Sequence, residues 1–127
     1  MPSAALTKFE LKIMQALWDG GARSVREIQE SFSEKKRPAY TTVQTIVYRL
    51  EAKGALRRVK KISNAHIFEA TLTREEAQRH FVDDLLGMFG GKSQPVMAHL
   101  ISAGKLTLED IKEAEKLLQA LAKEKRK

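Results

Sequence analysis

Five helix-start signals spaced along the chain constrain its fold more than any other feature of the sequence. Each pairs a Ser or Thr with Glu, Gln or Asp three residues later, at Thr7/Glu10, Ser24/Glu27, Thr41/Gln44, Thr73/Glu76 and Thr107/Asp110. In such a capping box the hydroxyl accepts a hydrogen bond from a free N–H of the first turn, and the longer side chain reaches back to the capping residue. Glycines at 20–21, 54 and 90–91 indicate where three of the helices end. The sequence therefore predicts a mainly α-helical chain.

Apolar residues recur at helical spacing within these segments. In the third segment the stripe has i, i+3, i+4, i+7 spacing and consists of Val43, Ile46, Val47 and Leu50. We predict helices at about 8–19, 25–35, 41–53, 74–89 and 108–124, and a short one opened by Ser93 and Pro95 and ending before Gly104. Segments 55–62 and 66–71 flank the turn-prone Ser63-Asn64-Ala65 and are predicted to be two short antiparallel strands.

The predicted order is three helices, a hairpin, and three more helices. This order is typical of a mainly α fold with a small β-hairpin: a winged helix-turn-helix domain over residues 1–72 and a C-terminal helical dimerisation module over residues 73–127. The third helix takes the recognition position and the hairpin is the wing. Because the module is short and apolar on one side, its stripe needs a partner, for which a second copy of the chain is the simplest choice. The expected dimer interface comprises Leu85, Phe89, Val96, Leu100, Ile111, Leu118 and Leu121.

Charge is concentrated in the first half of the chain. The whole chain carries 23 Lys and Arg against 16 Asp and Glu, a net charge of +7. Residues 35–61 alone contain nine basic residues and one acidic residue, Glu51. Such a local excess favours a polyanionic partner, most simply nucleic acid. The alternative is a solvated surface that happens to be basic.

Several function classes find no support in the sequence. The chain has no cysteine, which excludes disulfides, thiol catalysis and Cys-based metal sites. It has no apolar run of about 20 residues and no signal-peptide pattern at its N-terminus, so we expect a cytoplasmic protein with no membrane partner. His66, His80 and His99 are dispersed, and His80 with Asp84 one helical turn away is a weak metal signal. There is no nucleophile elbow, phosphate loop or HExxH motif, and we therefore expect no catalytic residues, metal or cofactor, and no enzyme.

The third predicted helix carries polar side chains opposite its apolar stripe. They are Thr42, Gln44, Thr45, Tyr48, Arg49 and Lys53. Short polar side chains near a helix N-terminus, followed by longer basic ones, suit a helix that enters the major groove of DNA end-first. The alternative for Thr41 and Gln44 is that they only cap the helix, since a Gln occupied with the cap is not available to a base.

The segments Leu6-Thr7, Leu17-Trp18 and above all YTTVQTIVYRLEAKG at 40–54 closely resemble the penicillinase-repressor family (BlaI/MecI/CopY type). The resemblance continues through the wing, Phe89-Gly90-Gly91 and Leu106-Thr107. It implies a homodimeric winged-helix repressor that binds double-stranded DNA at a palindromic operator, often of TACA/TGTA type. It also implies that the C-terminal helices form the dimer module. By position, the family's base and backbone contacts correspond to Thr41, Thr42, Gln44, Thr45 and Arg49, with Lys60 and Lys61 of the wing near phosphate.

Two features of the resembled family are missing. Members regulated by proteolysis are cut at an Asn-Phe pair, where this chain has His99-Leu100, and copper-responsive members carry a Cys-rich tail, where this chain ends in Lys-Glu-Lys-Arg-Lys. The inducing signal is therefore unassigned, and we expect no induction by cleavage at His99-Leu100. The alternative function is a non-catalytic winged-helix module that docks a protein, its basic face serving solubility alone.

Overall fold

The computed structural model describes residues 6–126; residues 1–5, on which the expectation about a signal peptide rests, and Lys127 lie outside the described residues. Its elements are α1 (Lys8–Gly20), β1 (Arg23–Ser24), α2 (Val25–Glu30), a 3-10 helix (Glu34–Lys36), α3 (Tyr40–Ala52), β2 (Leu56–Ile62), β3 (Ala65–Ala70), α4 (Arg74–Met88), α5 (Gln94–Ser102) and α6 (Leu108–Lys125). The order of three helices, a hairpin and three helices is confirmed, and the fold is a mainly helical winged helix with a small antiparallel sheet.

Four of the five predicted capping boxes are present. At the start of α1, Thr7 Oγ1 accepts from the Glu10 N–H at 3.1 Å, and the Thr7 N–H donates to Glu10 Oε1 at 2.8 Å. The same reciprocal bonds join the pairs Ser24/Glu27, Thr73/Glu76 and Thr107/Asp110. Because the ionised carboxylate accepts these backbone bonds, the pKa values of Glu27 and Asp110 lie below their ordinary values.

The predicted box at Thr41/Gln44 is wrong. Helix α3 begins at Tyr40 after an extended Ala39, and no side chain caps it. The earlier start has a packing reason: Tyr40 lies three residues before Val43 on the apolar stripe and packs against the core. Pro38 disfavours helical backbone at the preceding Arg37, which is extended. Thr41 therefore lies inside the first turn, where its side chain is exposed.

The predicted hairpin is confirmed, and a third strand joins it. β2 and β3 pair antiparallel, and the two-residue β1 pairs with the other edge of β3 through Arg23 opposite Phe68 and Ser24 opposite Ile67. Ser63 and Asn64 both have positive φ, at 47° and 67°, which matches the type I′ turns of tight hairpins. A bulge between Arg58 and Lys60 leaves Val59 without a partner in β3.

The second helix is shorter than predicted, and a separate 3-10 helix follows it. α2 ends at Glu30, and the Arg37 guanidinium donates to the carbonyl oxygens of Glu30 and Phe32 at 3.2 and 3.1 Å. The Ser31 hydroxyl donates to the Ile28 carbonyl oxygen at 2.5 Å. These side chains satisfy carbonyls that a continued helix would have used, which explains the early end.

The first compact unit comprises Met1–Val82 and holds the winged helix. Its core contains Ile13, Met14, Leu17, Val25, Ile28, Val43, Val47, Leu50, Ala55, Leu56, Phe68, Leu72 and Ala77. The Trp18 indole N–H donates to the Leu72 carbonyl oxygen at 2.9 Å. The first half of α4 belongs to this unit, because it contributes the buried Ala77 and the partly buried Phe81 to the core.

The second compact unit comprises Asp83–Lys127. Between residues 83 and 126 no residue is buried, and the large apolar side chains are exposed or half-buried. Of the predicted interface residues, Leu85, Phe89, Leu100, Leu118 and Leu121 are exposed, whereas Val96 and Ile111 are half-buried. None of the helices within residues 6–126 is long and apolar enough to cross a membrane.

Candidate nucleic-acid interface

Helix α3 has one face in the core and one face in solvent. Val43, Val47 and Leu50 are all 0% exposed and fix the helix to the core of the first unit. The opposite face is exposed and presents Thr41, Thr42, Thr45, Tyr48 and Arg49. Packing on one side thus orients a polar, cationic surface on the other, which is the arrangement required of a helix that reads a groove.

The short side chains of this face have defined hydrogen-bond states. The Thr45 hydroxyl donates to the Thr41 carbonyl oxygen at 2.9 Å, which leaves its oxygen as an acceptor and its methyl group exposed to a partner. Gln44 Nε2 donates to the Tyr48 hydroxyl at 3.1 Å. Gln44 is therefore not a capping residue, and the interpretation that Thr41 and Gln44 serve only as a cap is wrong.

Tyr48 lies against the wing. The Arg58 guanidinium carbon is 5.1 Å from the Tyr48 ring centroid and 5.4 Å from that of Phe68, distances typical of cation–π contacts. Arg58 Nε also donates to Glu51 Oε2 at 2.8 Å, and this bond raises the pKa of Arg58. Sequence reasoning missed Arg58 as a site residue, because a pattern does not show which strand side chain lies over which helix side chain.

Several of the basic residues are neutralised inside the chain. Lys53 Nζ is 2.8 Å from Glu10 Oε1, Arg57 pairs with Glu69 at 2.6 Å, and Arg58 pairs with Glu51. Lys53, predicted as a DNA contact, thus directs its ammonium to the fully buried Glu10. Six cations of the basic segment take part in none of the ion pairs within residues 6–126: Lys35, Lys36, Arg37, Arg49, Lys60 and Lys61. Of these, Arg37 donates to the backbone carbonyl oxygens of Glu30 and Phe32.

The Glu10–Lys53 pair fixes the C-terminal end of α3 to the start of α1. Burial raises the pKa of Glu10, but the hydrogen bond from Lys53 and the N–H of Thr7 outweigh it, and the pKa lies below its ordinary value. Glu10 is therefore an anion at neutral pH, and it holds the end of the polar helix in place.

A cavity of about 270 Å³ lies beside the polar face of α3 in the first unit. Its wall includes Arg26 from α2, Tyr40, Gln44 and Tyr48 from α3, and His66 from β3. The Arg26 guanidinium carbon is 5.2 Å from the Tyr40 ring centroid. Arg26 was not predicted as a site residue, although it is exposed and adjoins the start of α3.

A metal site requires several ligating side chains that lie close together. No group of three or more His, Asp or Glu side chains in the described part of the chain could hold a metal ion. The exposed face of α3 offers hydroxyl groups, the Gln44 amide and the Arg49 guanidinium, which are groups that bind base edges and phosphates.

A family model, a curated protein and a solved structure match this chain. A family model described as penicillinase repressor matches residues 6–120. The chain is 27% identical over 118 residues to a protein of Latilactobacillus sakei described as an uncharacterised 16.5 kDa protein in the ptsI 3' region, and the match covers 92% of this chain and 80% of that protein. A solved structure of Bordetella bronchiseptica BpsR, from work on the regulation of its DNA binding by 6-hydroxynicotinic acid, matches 97% of this chain and 79% of that chain, with a TM-score of 0.46 and 20% identity.

The family match includes the capped α1, the polar helix α3, the wing and most of α6. Because it spans nearly the whole described chain, the protein belongs to the penicillinase repressor family.

Proposed function

We propose that this protein is a homodimeric, sequence-specific transcriptional repressor that binds a palindromic operator in double-stranded DNA. The observation that carries the proposal is the two-sided helix α3, whose apolar side is fully buried while its polar side is exposed. Membership of the penicillinase repressor family supports the same function. In this proposal the protein regulates by occupying DNA and is not an enzyme.

Sequence is read by the exposed face of α3. Thr45 has its hydroxyl proton committed to the helix, so it offers a base an acceptor oxygen and a methyl group, and the methyl suits the thymine C5-methyl. Gln44 keeps its amide oxygen and one N–H for an adenine edge. Arg49 is exposed and outside the ion pairs described above, and it takes guanine or phosphate.

Affinity comes from the unpaired cations. Lys60 and Lys61 are exposed on β2, where the wing meets the DNA backbone in this proposal. Each phosphate that a cation neutralises releases condensed counterions, so binding weakens steeply as salt rises. Lys53 is left out of the contact set, because its ammonium bonds to Glu10.

Dimerisation is supported by the second unit. A compact segment in which no residue from 83 to 126 is buried has no apolar core of its own to stabilise it. Large side chains such as Leu118 and Leu121 are 67% and 54% exposed. A second copy of the chain, related by a two-fold axis, covers these residues and matches a palindromic site.

The proposal is tested by selection from a library of random-sequence DNA duplexes, followed by fluorescence-anisotropy titration of the enriched duplex at several salt concentrations. We expect enrichment of a palindrome and a steep fall in affinity with salt. No enrichment together with salt-independent binding would contradict the proposal and favour the protein-docking module.

Thr45→Ala and Gln44→Ala test the residues that read bases. Each variant is expected to lose about 1–3 kcal/mol of discrimination at one operator position per half-site, with the other positions unchanged. Competition with single-base-substituted duplexes measures this directly. Equal weakening at every position would show that neither side chain reads a base.

A further inference from the structure

We propose that Arg58 of the wing acts through Tyr48 as a positioning residue for Gln44 and so determines the base preference at the operator position that Gln44 faces. The inference rests on the proposed function and extends it to the side chains that hold Gln44 in position.

The Gln44 amide has an oxygen that accepts and an NH2 group that donates, and the Tyr48 hydroxyl fixes which of the two faces Tyr48. Because Nε2 donates to that hydroxyl at 3.1 Å, the amide oxygen and the second N–H are left for a partner. This donor–acceptor pair complements the N6 and N7 edge of adenine. Gln44 also lines the 270 Å³ cavity beside α3, which gives an unrestrained amide room to rotate away from the DNA.

Tyr48 needs a restraint of its own, since it is 41% exposed on the helix surface. The restraint comes from β2 and β3: Arg58 lies over the ring at 5.1 Å, and the Phe68 ring centroid is 6.5 Å away. A planar guanidinium stacked on a ring face holds that ring in one orientation.

Arg58 is itself anchored to the helix that it positions. Its Nε donates to Glu51 Oε2 at 2.8 Å, so the series of contacts that starts at Gln44 returns to α3 at the penultimate residue of that helix. The bond to Glu51 neutralises the guanidinium and directs it to the protein, which distinguishes Arg58 from the unpaired Lys60 and Lys61 on the same strand. The wing therefore contributes to base preference as well as to affinity.

The test compares Tyr48→Phe and Arg58→Leu with the matched control Arg57→Leu, whose side chain pairs with Glu69 on the neighbouring strand. Tyr48→Phe removes one exposed hydroxyl and retains the ring, so it preserves the fold even if Arg58→Leu does not. Anisotropy competition with the selected duplex and its single-base variants gives the discrimination at each position, and a salt series gives the slope.

We expect both test variants to lower discrimination about three- to tenfold at the Gln44 position alone, the effect of one lost hydrogen bond. The salt slope stays unchanged, and Arg57→Leu keeps the wild-type profile. In a Gln44→Ala background neither test variant causes a further change, because each acts through Gln44.

Four results would overturn the inference: an unchanged profile in Tyr48→Phe, equal losses at all positions, additive losses in the Gln44→Ala background, or a fall in salt slope for Arg58→Leu. If the unmodified protein shows no sequence preference, the proposed function itself fails, and that outcome is visible before any variant is measured.

Discussion

The Glu10 carboxylate is fully buried, and the Lys53 ammonium stabilises it across 43 residues of sequence. Its pKa is lower in the folded protein than in the unfolded chain, so the pair adds stability above the unfolded pKa, which lies near 4.5. That contribution is lost as the pH falls through the folded pKa.

Glu10→Gln is therefore expected to lower the free energy of unfolding by about 1–3 kcal/mol at pH 7 and to flatten its decline below about pH 5. Urea unfolding at pH 3, 5 and 7 measures both effects. A variant that loses stability equally at all three pH values would contradict the assignment of the ion pair.

Lys61 and Arg57 lie on the same exposed strand but differ in pairing. Lys61 is outside the ion pairs of the described chain, whereas Arg57 is 2.6 Å from Glu69. Lys61→Ala is expected to reduce the slope of log affinity against log salt by about one per protomer, and to weaken all duplexes alike. Arg57→Ala is expected to change the slope less, because Arg57 is paired with Glu69. Equal slopes for the two variants would show that an ion pair within the protein does not decide which cation contacts DNA phosphate.

Helix starts, buried helix faces and hairpin turns depend on residues close together in the sequence, and the sequence predicts most of them. A capping box needs two side chains three residues apart, and four of the five boxes formed as expected. The stripe of Val43, Val47 and Leu50 predicts the buried face of α3 by spacing alone. The turn Ser63-Asn64 likewise predicts where the hairpin reverses.

The remaining features depend on residues far apart in the sequence. β1 is two residues long and has no period to detect, and it is a strand only because β3 offers a free edge. Helix α3 begins at Tyr40 and not at the predicted Thr41, because the Tyr40 ring packs against the core and this contact outweighs the capping signal at Thr41. The pairs Glu10–Lys53 and Tyr48–Arg58 form only after packing. The sequence pattern therefore shows neither that the Lys53 ammonium bonds to Glu10 nor that Arg58 lies over Tyr48.

Helix α5 carries the pair that replaces the cleavable Asn-Phe of the resembled family. His99 and Leu100 lie within Gln94–Ser102, so a protease would have to unwind the helix to bind the bond in extended form. Its pocket would also meet an imidazole and an isobutyl group in place of an amide and a phenyl ring. We therefore expect no cleavage here, and release from DNA through a ligand or partner, or no release.

Intact mass of the protein in its native host during β-lactam exposure tests this expectation. Two fragments with the break after His99 would contradict it. The double variant His99→Asn/Leu100→Phe serves as the control. Cleavage of that variant alone would show that the identity of the two side chains prevents cleavage of the unmodified protein, and that the helical conformation does not.

At the scale of the whole molecule, the exposed apolar residues of the second unit are the basis for the proposed dimer. Leu118→Asp would place a charge in an apolar interface at a cost of several kcal/mol, and the dimer should dissociate. Sedimentation velocity at micromolar concentration is expected to show a dimer for the unmodified protein and a monomer for the variant. The control Ala120→Asp adds the same charge on the opposite side of α6 and should remain a dimer. A monomeric unmodified protein would contradict the proposal.

One binding comparison tests whether a dimer reads two half-sites through α3. The selected palindrome and a duplex with one half-site scrambled are titrated at the same salt concentration, with the number of chains bound measured by sedimentation. We expect two chains on the palindrome and roughly hundredfold weaker binding to the scrambled duplex, because half of the specific contacts are lost. Equal affinity for the two duplexes, or one chain bound to the palindrome, would contradict it.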